Sequence, residues 1–328
     1  MRTVDIHAHW YPQEWIRVFE KEGAKEGASI ERRDGKYFIK AQHITNAFDE
    51  RFVVVAERIS EMDQRGIDVH CLSLTTPMVY WASPGLALTM SQAFNDAAAA
   101  AHKKYPDRLI GMAMVPMHNP ADALKELERA ARLPGMKGLY LATNVNGEEL
   151  DEKKFWDVYA KCEELGWPIF LHPVDTIGQD RTKKYYLKNL CGNPYDTGVA
   201  VAHLIFGGVM DRFPRLEVNL PHAGGTFPWL VGRWEHGRQV RPELKHMKNP
   251  VGSYLKRFTY DTIGHDDRIN AALVKLVGAE RVTLGSDYCF DMGLDDPMAT
   301  VKRISGVSDQ ERELIAGGNA LKLLGLNK

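Results

Sequence analysis

VDIHAHW, residues 4–10, opens on β-prone residues and closes with two histidines one residue apart. Alternate residues of a strand share a face, so His7 and His9 are expected to project together. Working outward, seven more short β-prone runs recur along the chain: DVHCLSLT from Asp68, LIGMAMVP from Leu109, KGLYLAT from Lys137, PIFLHP from Pro168, EVNLPH from Glu217, FTYDT from Phe258 and VTLGSD from Val282. Amphipathic segments separate them, which predicts helices over residues 52–64, 89–104, 120–132, 153–165, 199–212, 228–238 and 267–277, with two more over 297–304 and 309–314. Eight strands alternating with helices in 328 residues predict an α/β fold, the (β/α)8 TIM barrel. A doubly wound open sheet is the rival, and no GxGxxG follows any strand to support it.

Between the first strand and the first barrel helix, residues 11–48 include EGAKEGASIERRDGKYFIK and show no sustained helical period. They read as a small insertion or lid within a single barrel domain covering residues 1–328. The 42 Lys and Arg against 43 Asp and Glu leave a formal charge of −1 without a basic block, which argues against a nucleic-acid partner. The start of the chain lacks a secretory pattern and no apolar run approaches a bilayer span, so no membrane partner is expected. Cys71, Cys162, Cys191 and Cys289 have no CxxC spacing and fit reduced thiols in the cytoplasm.

Chemistry in such barrels sits at the C-terminal ends of the strands. Strand one ends in His7 and His9, strand five in His172, strand six in His222 and strand eight in Asp287. Three imidazoles and a carboxylate converging from His7, His9, His172 and Asp287 form a donor set for one divalent metal ion, zinc first and manganese second. Each residue alone has a plainer reading: His172 as a satisfied core histidine, Asp287 as a helix N-cap, His222 as a strand-end ring bonded to a carbonyl. Their agreement at one pole outweighs these readings. Asp5 is read as structural support. Strand four carries Lys137 only at its entry, with Tyr140 and Thr143 at its exit, so a lysine-bridged pair of metals is not expected.

With these residues in place, the chain resembles the amidohydrolase superfamily, in its branch of metal-dependent, oxygen-independent decarboxylases. The likeness runs from DIHAHW through RISEMDQRGIDV, YPDRLIGMAMVPMHNP, IFLHPVD and RFPRLEVNLPHAGG to LGSDYCF and GNALKLLGL. It implies that His7, His9, His172 and Asp287 hold the metal and that His222, in PHAGGTFPWLVGR, is the catalytic histidine beside it. It also implies that Arg233 reaches a neighbouring subunit's site to bind a substrate carboxylate, which requires a homodimer or larger homo-oligomer. Two departures stand out. Asn46, in QHITNAFDERF, occupies the place of a second carboxylate-binding arginine of the muconate enzymes, and His7 stands where the resorcylate branch has glutamate.

The activity implied is non-oxidative decarboxylation of a small aromatic or conjugated carboxylic acid, with no organic cofactor and with the proton delivered by His222 or Asp287. In the loop after strand five, Arg181, Lys184 and Tyr186 are candidate contacts for an anionic, planar substrate. The rivals are a metal-dependent hydrolase of a lactone or amide, a hydratase, and a metal-binding protein without catalysis.

Overall fold

The eight apolar runs become one parallel sheet in the computed structural model, which describes residues 2–326. The strands are β1 (Val4–His9), then β5 (Val69–Ser73), β6 (Leu109–Ala113), β7 (Met136–Ala142), β8 (Ile169–His172), β9 (Val218–Leu220), β10 (Phe258–Asp261) and β11 (Val282–Thr283), in that spatial order. β2 (Ser29–Arg33), β3 (Lys36–Ala41) and β4 (Ile44–Asp49) form a separate antiparallel sheet. Every residue of β1, β5, β6 and β8 is buried, which is why these strands read as nearly continuous apolar runs rather than alternating ones.

Closure comes from the chain just past β11. The Ile6 N–H donates to the Leu284 carbonyl at 3.0 Å, the His9 N–H donates to the Tyr288 carbonyl at 2.6 Å, and Ala8 bridges Tyr288 in parallel register. The eighth strand was expected to run through VTLGSD, yet its ladder stops at Thr283. From there Leu284 donates its N–H to Ile315 in the C-terminal segment instead, at 2.8 Å. The barrel is therefore closed by an irregular strand extension, and that irregularity carries Asp287 into the mouth with a left-handed φ of 60°.

The helices fall close to their expected places, and the segment 267–277 is helical over Asp267–Val277. One differs in kind: the single helix expected over 199–212 is two, Asn193–Phe206 and Val209–Arg212. Gly208 between them adopts φ 81°, a conformation that glycine reaches without steric cost.

Residues 11–48 are more ordered than their composition suggests. Gln13–Lys21 is a helix that buries Trp15, Ile16 and Phe19, with the Phe19 ring edge-on to Trp81 at 5.2 Å. Nine residues give too few turns for a sustained period, and the glycines that follow mask it. β3 buries Tyr37, Ile39 and Ala41 in strict alternation, and β4 adds Ile44 and Phe48 to the same layer. Phe48 stacks between Tyr11 at 4.2 Å and Tyr37 at 4.9 Å. The small sheet also touches loops at the barrel mouth: Asn46 donates to the Tyr11 hydroxyl at 2.9 Å, and the His43 ring meets Asp175 at 2.6 Å in the loop after β8.

Phe19→Ala should lower the unfolding free energy by about 3–5 kcal/mol, the usual loss for a fully buried phenylalanine. Chemical denaturation checks this; a loss below about 1 kcal/mol would mean that the helix does not pack as described.

Candidate metal centre and its surroundings

The polar strand ends meet at one point. His7 Nε2 lies 3.1 Å from His9 Nε2 and 3.5 Å from Asp287 Oδ1, and His9 Nε2 is 2.9 Å from the same Asp287 oxygen. His172 places its ring edge-on to His7 at 5.3 Å and to His9 at 4.8 Å between centroids. His222 comes in from beyond β9, its Nε2 3.9 Å from Asp287 Oδ2. One donor atom from each of His7, His172, His222 and Asp287 falls within 4.8 Å of the other three. The structure thus brings together all five residues expected from the strand ends; the group of four mutually close donors includes His222, and His9 joins it through its contacts with His7 and Asp287.

The donor set fits a divalent cation. His7 Nδ1 faces the Asp261 carboxylate at 2.8 Å, so an ionised Asp261 requires Nδ1–H and leaves Nε2 with its lone pair. His9 Nδ1 faces the hydroxyls of Ser73 at 3.2 Å and Tyr140 at 3.4 Å. Two Nε2 atoms and a carboxylate oxygen then crowd within 3.5 Å of one another. Such an array is electrostatically satisfied by a cation at its centre. Imidazole and carboxylate donors suit zinc and manganese alike.

Burial sets the charge states. Burial, followed by the charges of the neighbouring rings, holds His9 and His172 well below the usual histidine range. Burial likewise lowers His222, partly offset by Asp287. His7 is the exception: burial pulls it down, but the Asp261 hydrogen bond and the Asp287 and Asp261 charges together carry it above the usual value. Burial raises Asp287, against the lowering influence of His7 and His222.

Four supporting residues were not singled out from the sequence for this centre. Asp261 ends β10, the one strand whose exit was not read for a donor, and FTYD was its visible signal. Arg58, fully buried, donates to the His9 carbonyl and reaches His70 Nδ1 at 3.2 Å, and its guanidinium lies 4.6 Å from the centre of the Tyr288 ring. Ser286 donates through its N–H, at 3.1 Å, and through its hydroxyl to Asp5, which also accepts the His7 N–H at 3.0 Å and lies 3.6 Å from His70. Burial pushes the Asp5 carboxyl up to about 6. Asp5 thus supports β1, as its sequence position suggested.

Above the centre opens a cavity of about 230 Å³, with His222 and Asp287 in its wall. Leu190, Trp229, Ile263, Ile269 and Met292 supply its apolar surface, and Asn189, Asn193 and His265 its polar one. No lysine or arginine lines it among the described residues. Tyr186 is exposed but close enough for the charges of Asp291 and Asp287 to add to the effect of burial in raising its hydroxyl pKa. Lys184 is exposed to solvent. Arg181 lines a different, larger cleft with Cys191, Tyr195, His203 and Trp234. Arg233 points outward from the helix Phe227–Val240, one turn beyond Trp229, and makes no hydrogen bond or ion pair among the described residues. His203 pairs with Asp151 at 2.9 Å, and Cys289 is buried.

The family model described as amidohydrolase matches residues 4–326. A 2-amino-3-carboxymuconate-6-semialdehyde decarboxylase of Dictyostelium discoideum is 36% identical, the match covering 99% of this chain and 92% of that protein. A gamma-resorcylate decarboxylase of a Polaromonas species is 27% identical over 83% of this chain and 87% of its own length. Among solved structures, the 5-carboxyvanillate decarboxylase of Novosphingobium aromaticivorans, complexed with manganese and 4-hydroxy-3-methoxy-5-nitrobenzoic acid, superposes with a TM-score of 0.84 at 24% identity, covering 99% and 96% of the two chains. At that identity the likeness speaks for the fold.

Histidines held neutral by burial make the metal-free protein acid-sensitive. The unfolded chain takes up protons below the ordinary histidine value of 6.5 that folded His9, His70 and His172 refuse, so stability falls as pH drops through that region. His222 acts with them; His7 and the raised carboxyls of Asp5 and Asp287 act in the opposite direction, and the large downward shifts of His9, His70 and His172 outweigh these. The thermal midpoint of metal-free protein should therefore decrease between pH 7.5 and 5.5; a flat or rising midpoint would contradict the buried neutral state.

Proposed function

For a chain that belongs to the amidohydrolase family, in its decarboxylase branch, we propose a metal-dependent, oxygen-independent decarboxylase of a small aromatic or conjugated carboxylic acid. The observation that carries the reading is the placement of His222. It stands in the wall of the cavity, 3.9 Å from Asp287, so one group able to move a proton borders both the cavity and the candidate cation site. His7, His9, His172 and Asp287 would hold the ion, zinc first and manganese second; manganese is present in the carboxyvanillate enzyme's structure. When bound, the ion supplies a Lewis acid and a positive anchor for anionic substrate oxygens.

The chain's own residues supply the rest. Leu190, Trp229 and Ile263 exclude water from one side of a planar substrate. His222 delivers a proton to the carbon that bears the carboxylate, with Asp287 as the adjacent group able to hold it. The C–C bond then breaks, its electron pair restores conjugation in the ring or chain, and CO2 leaves. Proton transfer of this kind is typically worth about 10²–10⁴-fold in rate. Protonation at carbon requires no oxidant, so neither oxygen nor an organic cofactor enters the balance.

Arg233, outward-facing and unpaired among the described residues, is proposed to serve the active site of a second copy, making the working form a homodimer or larger assembly. Lys184 and Tyr186 at the rim would guide the acid inward. Arg181, in its separate cleft, is the weakest of the substrate contacts expected from sequence. Among the described residues no helix is long and apolar enough to cross a membrane, and a cytoplasmic setting would keep the thiols reduced.

Metal-loaded protein should release CO2 from some member of a panel of hydroxybenzoic, aminobenzoic and conjugated dienoic acids, without oxygen, and a chelator should stop it. Silence across the panel with one tightly bound metal would point to lactone or amide hydrolysis. His222→Ala should lose about 10²-fold or more in kcat and keep its metal, whereas His172→Ala should lose metal as well; elemental analysis beside the rate assay separates the two. Arg233→Ala and His172→Ala, each inactive alone, should regain activity when dissociated and reassembled together, since the mixed dimer holds one complete site. No recovery would place Arg233 outside the chemistry.

A further inference from the structure

The Asp261 carboxylate meets four donors and nothing else. Oδ2 accepts from the ring of His7 at 2.8 Å and from the backbone N–H of His222 at 3.0 Å. Oδ1 accepts from the backbone N–H of Ala223 at 2.8 Å and of Ile263 at 3.0 Å. The side chain is fully buried, so no water can replace a partner. His222 and Ala223 both adopt φ 54°, a left-handed turn that non-glycine residues enter only when their surroundings enforce it. The approach of Asp261 to His7 depends in turn on Gly285: a Cβ there would fall 2.8 Å from the Asp261 Cβ and 3.0 Å from the His7 Cβ.

We propose that Asp261 is the positioning residue of this centre, its one carboxylate fixing the ring tautomer of His7 and the turn that aims His222. The inference rests on the metal reading of the cluster and adds to it. A ligand imidazole coordinates through the nitrogen that carries no proton. By accepting Nδ1–H from His7, Asp261 leaves the Nε2 lone pair directed at His9 and Asp287. Through its bonds to the His222 and Ala223 N–H groups it holds the strained turn that brings His222 to the same point, so ligand and proton-transfer group are set by a single anchor.

The chemistry of the site makes asparagine a sharper probe than alanine. An amide has one acceptor and one donor end, and here both ends would face donors. If the NH2 faces Ala223 and Ile263, two backbone N–H groups have no way to adapt. If it faces His7 and the His222 N–H, only one fixed donor is opposed instead of two, and the ring can adapt by moving its proton to Nε2, which removes the lone pair the metal requires. Asp261→Asn therefore selects the wrong His7 tautomer, whereas Asp261→Ala leaves the ring free to take either. The order of stability should be wild type, Asn, Ala; the order of metal affinity should be wild type, Ala, Asn.

The test uses full-length protein stripped of metal, with thermal midpoints for stability and chelator competition for zinc and manganese affinity. Asp261→Asn should bind either ion about 10–100-fold more weakly than wild type, the usual effect of losing an outer hydrogen-bond partner of a ligand histidine. Wild-type affinity in Asp261→Asn, or affinities that follow the midpoints, would overturn the proposal and leave Asp261 a fold residue. Should neither variant accumulate, nitrogen NMR of the metal-free wild type, taken at a pH high enough for the His7 ring to be neutral, decides: a proton on His7 Nδ1 alone supports the proposal, and one on Nε2 alone overturns it. None of these readouts uses a substrate, so failure of the decarboxylase reading would appear in the CO2 assay alone.

Discussion

The hydrogen bond from the His7 ring to the Asp261 carboxylate organises the polar end of this barrel. It spans 2.8 Å between the first strand and the seventh, on either side of the strand extension where the sheet closes. A buried carboxylate costs several kcal/mol unless its lone pairs are occupied, and a buried imidazole must be told which nitrogen to protonate. This contact meets both needs. Desolvation raises the Asp261 pKa, yet the hydrogen bond and charge of His7, with His222 and the backbone donors, bring it below the usual value, so the carboxylate remains ionised.

Around that bond, most polar groups of strand one and its neighbours are tied down from outside the cation site. Asp5 holds the backbone of His7 and Ser286, and Arg58 holds the His9 carbonyl. Ser73 and Tyr140 face His9 Nδ1. Nδ1 of His172 and of His222 has no partner, so these two rings are placed by packing, with Tyr140 stacked on His172 at 5.8 Å. The aim of each ring is thus built into the apo fold, which suits a site whose ligands come from distant parts of the chain.

The small sheet and its helix pack residues 11–48 against the barrel mouth. Phe52 bridges the two regions, touching Phe48 on one side and Phe290 on the other, and Phe290 packs on His9. Asn46 spends its amide on Tyr11 and the Thr76 carbonyl, so the place where the muconate relatives are expected to carry an arginine is occupied by a structural hydrogen bond. No lysine or arginine lines the cavity wall among the described residues, so under the proposed function an anionic substrate would depend on the bound ion and on Arg233 of a second copy for its positive partners.

The barrel, its eight strands and the five polar residues that converge at one pole were legible in the chain because each is a local signal. A buried parallel strand must be apolar throughout, so a histidine or aspartate at its end stands out against its own neighbours. The helix Gln13–Lys21 was hidden by its brevity, and the short ladder of β11 could not be read because its hydrogen bonds depend on where β1 and the C-terminal segment arrive. Asp261 carries the same strand-end signal, but its partner does not show in the chain, and Arg58 looks like an ordinary helix residue; only folding brings them against His7 and His9. The sequence by itself determined which side chains could bind a metal and at which pole. Tertiary structure decided how those rings are protonated and aimed, because tautomer and orientation follow from hydrogen bonds between residues hundreds of positions apart.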